Sequence, residues 1–455
     1  MDTFPDDVLL PMFNFYVYHD ESPAESETAW QTLVHVCRRW RIIVFGSPRY
    51  LKLQLVCTPR TRVRDMLDVW PAFPLDIWCD STGTSGNVDN IIAALERDDR
   101  VCKFIVVNFR RLVFETLFLA MQQPFPELTH LTLWSTGGTV PVVPDSFLGG
   151  SGTRLEFLRL EGIRFSGLPK LLISATHLAT LYLMNIPHSG YIAPDAMVVA
   201  LSTMTRLETL LLTFKSPRSC PDQASRRLPP STRSVLPSFT TFRFKGVSEY
   251  LEDLVAGINA PQLYVLDITF FNDIEFDTSQ FVQFISRTPK LRAPEKAQIT
   301  LRDDHIGVDV SSETSDYRSF KVTILCKGLD WQLSSLGLVC TSFRSLLSML
   351  EGLSFYEESR SQPDRKVDIE NGLWLELLQP FTNVKNLYLS EKVVPRIVPA
   401  LQELVGGRTT EVLPTLQNIF LGGPESLGPV QEGIGLFVAA RQVAGHSIAV
   451  SRWTN

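Results

Sequence analysis

The 455-residue sequence is 44% hydrophobic and 20% charged, which is ordinary for a globular protein and excludes wholesale disorder. Its 43 Lys and Arg residues against 49 Asp and Glu residues give a net charge of −6, which disfavours nucleic acid as a partner. Because the N-terminus does not resemble a signal peptide and no apolar run is long enough to cross a membrane, we expect a cytoplasmic or nuclear protein with no membrane partner.

The first predicted element is a helix that begins in FPDDVLLPMFNFY, residues 4–16. Pro5 suits the first turn, and Asp6 and Asp7 suit the positive end of the helix dipole. Apolar residues recur at helical spacing, namely Val8, Leu9, Met12 and Phe13. Pro11 removes one backbone hydrogen bond and should therefore break or distort the helix near Leu10.

A second amphipathic helix is predicted in TLVHVCRRWRIIVFGSP, residues 32–48. Its apolar stripe contains Leu33, Val36, Cys37, Trp40 and Val44. Ile42 lies opposite that stripe, so both sides of the helix end could be covered. The arginines at 38, 39 and 41 fit either a solvated helix end or a binding patch. Because about 48 residues cannot bury all of these side chains alone, the segment must pack against a partner or against the rest of the chain.

These residues carry a family resemblance. Phe4-Pro5-x-Asp7, then Met12-Phe13, then Leu33-x-x-Val36-Cys37-x-x-Trp40-Arg41 resemble the F-box, in the form common in mushroom-forming (basidiomycete) fungi. The departures are Phe4 for Leu, Asp7 for Glu, Pro11 within the first helix and a longer acidic loop between the helices. We assign residues 1–48 to this all-helical domain.

The rest of the chain repeats one pattern, in which an apolar residue is followed by two others and then by an apolar-x-apolar pair. The pairs fall at 53/55, 75/77, 104/106, 131/133, 158/160, 181/183, 210/212, 242/244, 266/268, 299/301, 322/324, 353/355, 387/389 and 419/421. Their spacing of 22 to 34 residues is typical of leucine-rich repeats.

Helix-like stretches separate the pairs, as at 193–204, 248–258, 278–287 and 396–405. Strand followed by helix predicts an α/β solenoid over 49–455 with a parallel sheet inside and helices outside, similar to the irregular leucine-rich repeats of F-box proteins. A doubly wound α/β domain, or two unrelated α/β domains, is the alternative. We expect irregular loops at 215–234 and 357–366, and a terminal strand at 448–453.

No constellation of catalytic residues, metal ligands or cofactor-binding residues is evident. The glycines of 81–87 lack the Lys that a phosphate-binding loop needs, and the seven histidines show no metal-site spacing. The seven cysteines are scattered, never occur as C-x-x-C, and are interpreted as reduced, packed thiols. We therefore expect a non-catalytic protein without metal or cofactor.

The resemblance implies a substrate-recognition subunit of an SCF-type cullin-RING E3 ubiquitin ligase. The F-box would dock on a Skp-type adaptor, and through it a cullin, by way of Pro5, Val8, Leu9, Met12, Phe13, Leu33, Val36, Cys37 and Trp40. The repeats would bind the substrate protein through residues that flank the apolar pairs on the concave side, namely Trp78, Trp134, Arg159, Tyr182, Met184, Arg243, Lys245, Tyr356, Tyr388 and Phe420. The alternative is a leucine-rich-repeat scaffold whose N-terminal helices only cap the solenoid.

Overall fold

A computed structural model of the chain describes residues 4–18, 29–48, 50–80, 88–109, 111–136, 140–219, 232–271, 278–291, 295–312, 315–358, 370–423 and 428–453. These residues form two compact units of mixed α/β structure, Met1–Gly190 (unit 1) and Tyr191–Asn455 (unit 2). The predicted domain boundary after residue 48 falls inside unit 1, between the last N-terminal helix and the first strand. In the described residues, no helix has the length and apolarity to cross a membrane.

The helices of unit 1 are α1 (Asp6–Tyr18), α2 (Ala29–Val36), α3 (Arg38–Gly46), α4 (Val63–Val69), α5 (Val88–Leu95), α6 (Arg111–Ala120) and α7 (Leu168–Ser174). Its strands are β1 (Leu55–Cys57), β2 (Leu75–Asp80), β3 (Val101–Phe109), β4 (His130–Ser135), β5 (Val142–Val143), β6 (Phe157–Glu161), β7 (Arg164–Phe165) and β8 (Thr180–Ile186). Short 3₁₀ turns lie at Phe147–Gly150 and His188–Gly190.

The helices of unit 2 are α8 (Pro194–Thr203), α9 (Ser248–Ala256), α10 (Ser279–Arg287), α11 (Leu329–Ser342), α12 (Arg344–Leu347), α13 (Asn371–Leu378), α14 (Val394–Gln402) and α15 (Gly428–Val443). Its first strands are β9 (Thr209–Phe214), β10 (Ser234–Val235), β11 (Thr241–Gly246), β12 (Ile258–Asn259), β13 (Val265–Phe271), β14 (Lys296–Leu301) and β15 (Ile306–Ser312). Its remaining strands are β16 (Ser315–Leu325), β17 (Gly352–Glu357), β18 (Asn386–Leu389), β19 (Asn418–Leu421) and β20 (Ala449–Arg452). Short 3₁₀ turns lie at Pro217–Ser219 and Pro289–Leu291.

The sheet of unit 1 is parallel and follows chain order, β1-β2-β3-β4-β6-β8. A doubly wound sheet reverses its strand order at a switch point, whereas this sheet adds each strand beside the one before it. The strand order therefore favours stacked repeats over the doubly wound alternative. The prediction of a parallel sheet whose strands alternate with helices is therefore confirmed for unit 1.

The sheet of unit 2 departs from the predicted all-parallel arrangement. Strands β9, β11, β13 and β16 are parallel, and so are β14, β17, β18, β19 and β20. Between these sets, β15 pairs antiparallel with both β14 and β16. The prediction of a strand-helix unit between the pairs at 299/301 and 322/324 is therefore wrong. The reason is that β14, β15 and β16 follow one another as extended segments without an intervening helix.

All 28 residues of the predicted pairs are buried, the most exposed being Leu421 at 8%. Burial alternates along the strands, as in β4, where Leu131 and Leu133 are buried and their neighbours Thr132 and Trp134 are half-buried. This alternation follows from the two-residue period of a strand. One face of each sheet therefore forms the core with the helices, and the other face, here called the open face, is only partly covered.

The register of the pairs is as predicted where the strands are regular. Leu131 lies beside Phe104 and Leu158, and Leu387 lies beside Leu353 and Ile419. At the start of unit 1 the register is shifted by two residues, because Leu55 and Cys57, rather than 53/55, lie beside Leu75 and Ile77. Likewise 322/324 lie beside 268/270 rather than 266/268. A shift of two keeps the same side chains in the core, so the pattern alone could not reveal it.

A break in the first helix near Leu10 and a single continuous second helix are two predictions that are wrong. Helix α1 continues through Pro11. Pro11 and Asp7, whose carbonyl would have accepted the missing hydrogen bond, are both exposed, so water can replace that bond. The second helix is in fact two helices, because Cys37 between them is extended, with φ −159° and ψ 168°.

The four helices and the terminal strand predicted from the sequence are present. The helices expected near 193–204, 248–258, 278–287 and 396–405 are confirmed as α8, α9, α10 and α14. The terminal strand is confirmed as β20, which pairs parallel with β19. Most of the predicted loops at 215–234 and 357–366, and the glycine-rich stretch 81–87, lie outside the described residues.

Candidate functional site

Helix α1 has one buried and one exposed apolar stripe. Leu9, Phe13 and Val17 recur at intervals of four residues and are at most 4% exposed. The exposed α1 stripe consists of Val8 (41%), Met12 (54%), Phe15 (64%) and Tyr16 (47%). These four residues also fall at helical spacing, so they share one side of the helix. The sequence prediction included Val8 and Met12 and missed Phe15 and Tyr16, which continue the same spacing.

The structure divides the predicted adaptor-binding residues into three groups by their burial. Leu9, Phe13 and Leu33 are buried within unit 1, so they support the helices and are removed from the contact surface. Pro5, Val8, Met12 and Val36 are exposed, and Cys37 and Trp40 are half-buried. Leu33 is buried, whereas Val36, three residues later on the same helix and next to the extended Cys37, is 54% exposed. The predicted apolar stripe therefore does not lie on one buried side of α2.

Cys37 and Trp40 have local structural roles. The Cys37 sulfur accepts the backbone N–H of Trp40 at 3.4 Å, which caps the N-terminus of α3. The Trp40 ring packs on Phe13 with ring centroids 4.7 Å apart, which ties α3 to α1. Only part of the Trp40 ring is therefore available to a partner.

Trp30 joins the N-terminal helices to the chain that follows them. It is 1% exposed, and its ring lies 5.2 Å from Trp70 and 5.5 Å from Phe73. Its indole N–H donates to the carbonyl oxygen of Gln54 at 3.2 Å. The N-terminal helices therefore cover apolar residues of the segment around β1 and α4.

The arginine run is used in part within the helices. Arg39 forms an ion pair with Asp6 at 2.6 Å and donates to the carbonyl oxygen of Phe4, which ties α3 to the start of α1. Arg41 donates to the carbonyl oxygen of Val34 at 3.0 Å, at the end of α2. The sequence analysis expected Ile42 to be covered as well as the main stripe. Ile42 is 62% exposed, so unit 1 does not cover it.

The open face of unit 1 carries five of the predicted substrate-binding residues in ordered rows. The strand register places Trp78, Ile105, Thr132, Arg159 and Tyr182 side by side on β2, β3, β4, β6 and β8. Trp134 lies in the next row, beside Glu161 and Met184. The preceding row, which the sequence analysis missed, is Asp76, Lys103, His130, Phe157 and Thr180. Period-two alternation could have found it, because each member lies two residues before a member of the middle row.

The charge of Arg159 is balanced within the open face. Its guanidinium contacts Glu161 at 2.7 Å and lies 5.5 Å from the centre of the Trp134 ring. Asn185 donates to the other oxygen of Glu161 at 3.0 Å. Arg159 is therefore held in place as one member of a cluster with an aromatic ring and a carboxylate.

The open face of unit 2 carries the other predicted residues in two places. Arg243 lies beside Asp267, which lies beside Lys321 and then Asp309, so positive and negative residues alternate across four strands. Burial raises the pKa of Asp309, and Lys321 opposes that rise. Lys245 lies 5.8 Å from the centre of the Phe271 ring.

The second group in unit 2 is aromatic. Tyr388 stacks on Phe420 with centroids 4.5 Å apart and planes at 8°, and Trp453 meets Tyr356 and Tyr388 edge-on at 5.4 and 5.6 Å. Trp453 was not predicted as a site residue, because it lies on the edge-strand segment beyond the last apolar pair. Aromatic side chains grouped in this way are common at protein interfaces.

Two of the described thiols, Cys57 and Cys79, are poor nucleophiles. Cys37, Cys57, Cys79, Cys102, Cys326 and Cys340 are free. Burial raises the pKa of Cys57 and of Cys79 to about 12, so both are protonated at neutral pH. Over the described ranges, no group of three or more His, Cys, Asp or Glu side chains is placed to hold a metal ion.

Comparisons with known proteins do not assign a family. The sequence matches no protein-family model, and no curated protein matches it. The functional interpretation therefore depends on the residues and their placement.

Proposed function

We propose that this protein is the substrate-recognition subunit of an SCF-type cullin-RING E3 ubiquitin ligase. The N-terminal helices act as an F-box that docks on a Skp-type adaptor, and an irregular leucine-rich-repeat array binds the substrate protein. The chain itself makes no bond and acts by holding a substrate near the ligase, which is a proximity effect.

The observation that carries the proposal is the exposed α1 stripe together with Val36. Val8, Met12, Phe15, Tyr16 and Val36 are each at least 41% exposed, although α1 and α2 bury other apolar residues fully. A cluster of exposed apolar side chains on a soluble protein is typical of a protein-binding surface. Two of these positions, Met12 and Val36, belong to the F-box pattern, and Val8 is among the predicted adaptor-binding residues.

The open sheet faces support the substrate-binding half of the proposal. They present Trp, Tyr and Arg side chains, the types enriched at interface hot spots, in rows set by a parallel register. Because strands fix these rows, the side chains are ordered before a substrate arrives, which lowers the entropic cost of binding.

The test is the affinity of the full chain for a purified Skp-type adaptor, measured by calorimetry. Met12→Asp and Val36→Asp each place a charge where the apolar contact would be desolvated, and we expect each to weaken binding at least about tenfold. These positions are preferred to Trp40, because Trp40→Ala would also remove the contact with Phe13 and confuse binding with stability.

The matched control is Val199→Asp on α8 of unit 2, because Val199 has the same exposure, 54%, as Met12 and Val36. We expect it to bind the adaptor like the unsubstituted chain. Absence of adaptor binding by the unsubstituted chain would overturn the proposal, and so would equal affinities for all three variants.

A second candidate function is a leucine-rich-repeat scaffold whose N-terminal helices only cap the array. The burial of Trp30 against Trp70 and Phe73 favours it, because the helices do cover apolar residues of the next segment. Deletion of residues 1–48 would expose that cluster and destabilise the chain under either function. The single substitutions discriminate, because a pure cap predicts that Met12→Asp changes no interaction.

A further inference from the structure

The open face of unit 1 contains a depression over β1, β2, β3, β4 and β6. Its volume is about 370 Å³, and its lining residues are Val56, Asp76, Ile77, Trp78, Lys103, Ile105, His130, Thr132 and Phe157. In the middle row, Ile105 and Thr132 stand between the larger side chains Trp78 and Arg159. The depression therefore arises where two shorter side chains interrupt a row of long ones.

The one acidic group in the lining is already compensated. Asp76 has a side chain that is 8% exposed and meets the ammonium of Lys103 at 3.0 Å. The thiol of Cys102 donates to the other Asp76 oxygen at 2.9 Å. Burial is the main cause of the raised pKa of Cys102, followed by Asp76, so the sulfur keeps its proton. A cationic ligand would find no uncompensated carboxylate here, and an anionic ligand would lie beside Asp76.

His130 supplies a directional polar group. Its ring stacks on Phe157 with centroids 5.9 Å apart and planes at 14°. Burial, and then Lys103, lower the pKa of His130, so the ring is neutral at pH 7. The Thr129 hydroxyl donates to the carbonyl oxygen of Cys102, so its oxygen accepts from Nδ1–H of His130 at 2.8 Å. This assignment leaves a lone pair on Nε2 of His130, which makes that atom a hydrogen-bond acceptor.

We propose that this depression binds an aromatic side chain that carries a hydrogen-bond donor, tyrosine or tryptophan, from an extended segment of the substrate protein. The inference deepens the proposed function and rests on it for the identity of the partner. A volume of about 370 Å³ lies at the small end of ligand pockets, and so suits one large side chain rather than a cofactor.

The chemistry of the lining selects this occupant. Val56, Trp78, Ile105 and Phe157 offer apolar and aromatic surface to a ring. Nε2 of His130 accepts the phenol O–H or the indole N–H at the edge of that ring. Because the charges of Lys103 and Asp76 are mutually compensated, a neutral side chain is preferred to a phosphorylated one.

The experiment measures binding of small probes to the full chain by saturation-transfer NMR. The probes are N-acetyl-tyrosinamide, N-acetyl-phenylalaninamide and N-acetyl-phosphotyrosinamide. We expect the tyrosine probe to bind a few-fold more tightly than the phenylalanine probe, because only tyrosine can donate to His130, and the phosphorylated probe to bind most weakly. A phenylalanine probe that binds as tightly as the tyrosine probe, or a phosphorylated probe that binds most tightly, would overturn the proposal.

Two variants locate the binding. Thr132→Trp fills the depression and should reduce binding of the tyrosine probe at least tenfold, whereas Thr300→Trp, on a half-buried open-face threonine of unit 2, should leave binding unchanged. His130→Phe keeps a ring beside Phe157 and should abolish the preference for tyrosine over phenylalanine. Unchanged binding by Thr132→Trp, or an unchanged tyrosine preference in His130→Phe, would contradict the assignment.

Adaptor binding separates this inference from the proposed function. Thr132 is not part of the exposed α1 stripe, so Thr132→Trp should keep full affinity for the adaptor. If the adaptor binds but the tyrosine probe does not, the pocket assignment alone fails. If the probe binds but the adaptor does not, the pocket stands and the ligase role fails.

Discussion

The N-terminal helices and the repeats that follow them treat apolar residues differently. In the repeats, all 28 residues of the apolar pairs are at most 8% exposed. In α1, four apolar residues on one side are at least 41% exposed, while Leu9, Phe13 and Val17 on the adjacent side are at most 4% exposed. The apolar pairs of the repeats all serve the core, whereas α1 also presents four apolar residues to solvent on one side.

This difference indicates which apolar residues are available for binding a partner. A repeat cannot bury its strand alone and must stack on its neighbours, so its apolar pairs report on folding. A helix that already has a buried stripe does not need a second one for its own stability. The exposed α1 stripe is therefore the feature of this region that folding does not explain.

The largest expected effect concerns the buried face of the strands. Phe104 on β3 is fully buried, and Phe104→Ala should lower the free energy of unfolding by about 3 to 5 kcal/mol, since it leaves a cavity in the core. Ile105, next in sequence and half-buried on the open face, is the control, and Ile105→Ala should cost about 1 kcal/mol. Denaturant unfolding followed by circular dichroism measures both. Equal losses would contradict the division into core and open faces.

A smaller effect concerns the break between α2 and α3. The Cys37 sulfur is a weak acceptor for the N–H of Trp40, and a hydroxyl at the same place would be a better one. Cys37→Ser should therefore maintain or raise the free energy of unfolding, whereas Cys37→Ala should lower it by about 0.5 to 1 kcal/mol. If alanine is tolerated better than serine in denaturant titrations, Cys37 is a packing residue and not a cap.

The smallest effect concerns the ion pair between Asp6 and Arg39. Their side chains are 66% and 34% exposed, so solvent screens the 2.6 Å contact. A double-mutant cycle with Asp6→Asn and Arg39→Gln should give a coupling energy below about 1 kcal/mol that shrinks further at high salt. A coupling of several kcal/mol would show that this pair, rather than apolar packing, holds α3 to α1.

The sequence predicted the strands and their alternation with helices well, because burial of one strand face can be recognised in every apolar pair. The pair at 131/133 needs no knowledge of distant contacts, since alternation alone places Leu131 and Leu133 on one face. The antiparallel β15 was missed because a hairpin and a crossover leave similar alternating patterns. The two-residue register shifts were missed for the related reason that they preserve which face is buried.

The candidate site was predicted less completely. A helical wheel assumes one unbroken helix over 32–48, whereas the extended Cys37 divides this segment into α2 and α3. Even within α2, Leu33 is buried and Val36 is exposed, although the wheel placed both on one stripe. On the open face, the prediction considered only residues that follow an apolar pair member, and so missed His130 and Phe157. Lys103 and Cys102 on β3 compensate the charge of Asp76 on β2. Because these residues lie on two different strands, no local sequence pattern could predict the contact.

The most direct test of the central claim is hydrogen–deuterium exchange of the full chain with and without a Skp-type adaptor. If the exposed α1 stripe and Val36 form the docking surface, exchange should slow in residues 6–18 and 29–46 and stay unchanged in the strands of 130–186. Slowed exchange in those strands without any change in the helices would contradict the account, and so would the absence of any change on mixing.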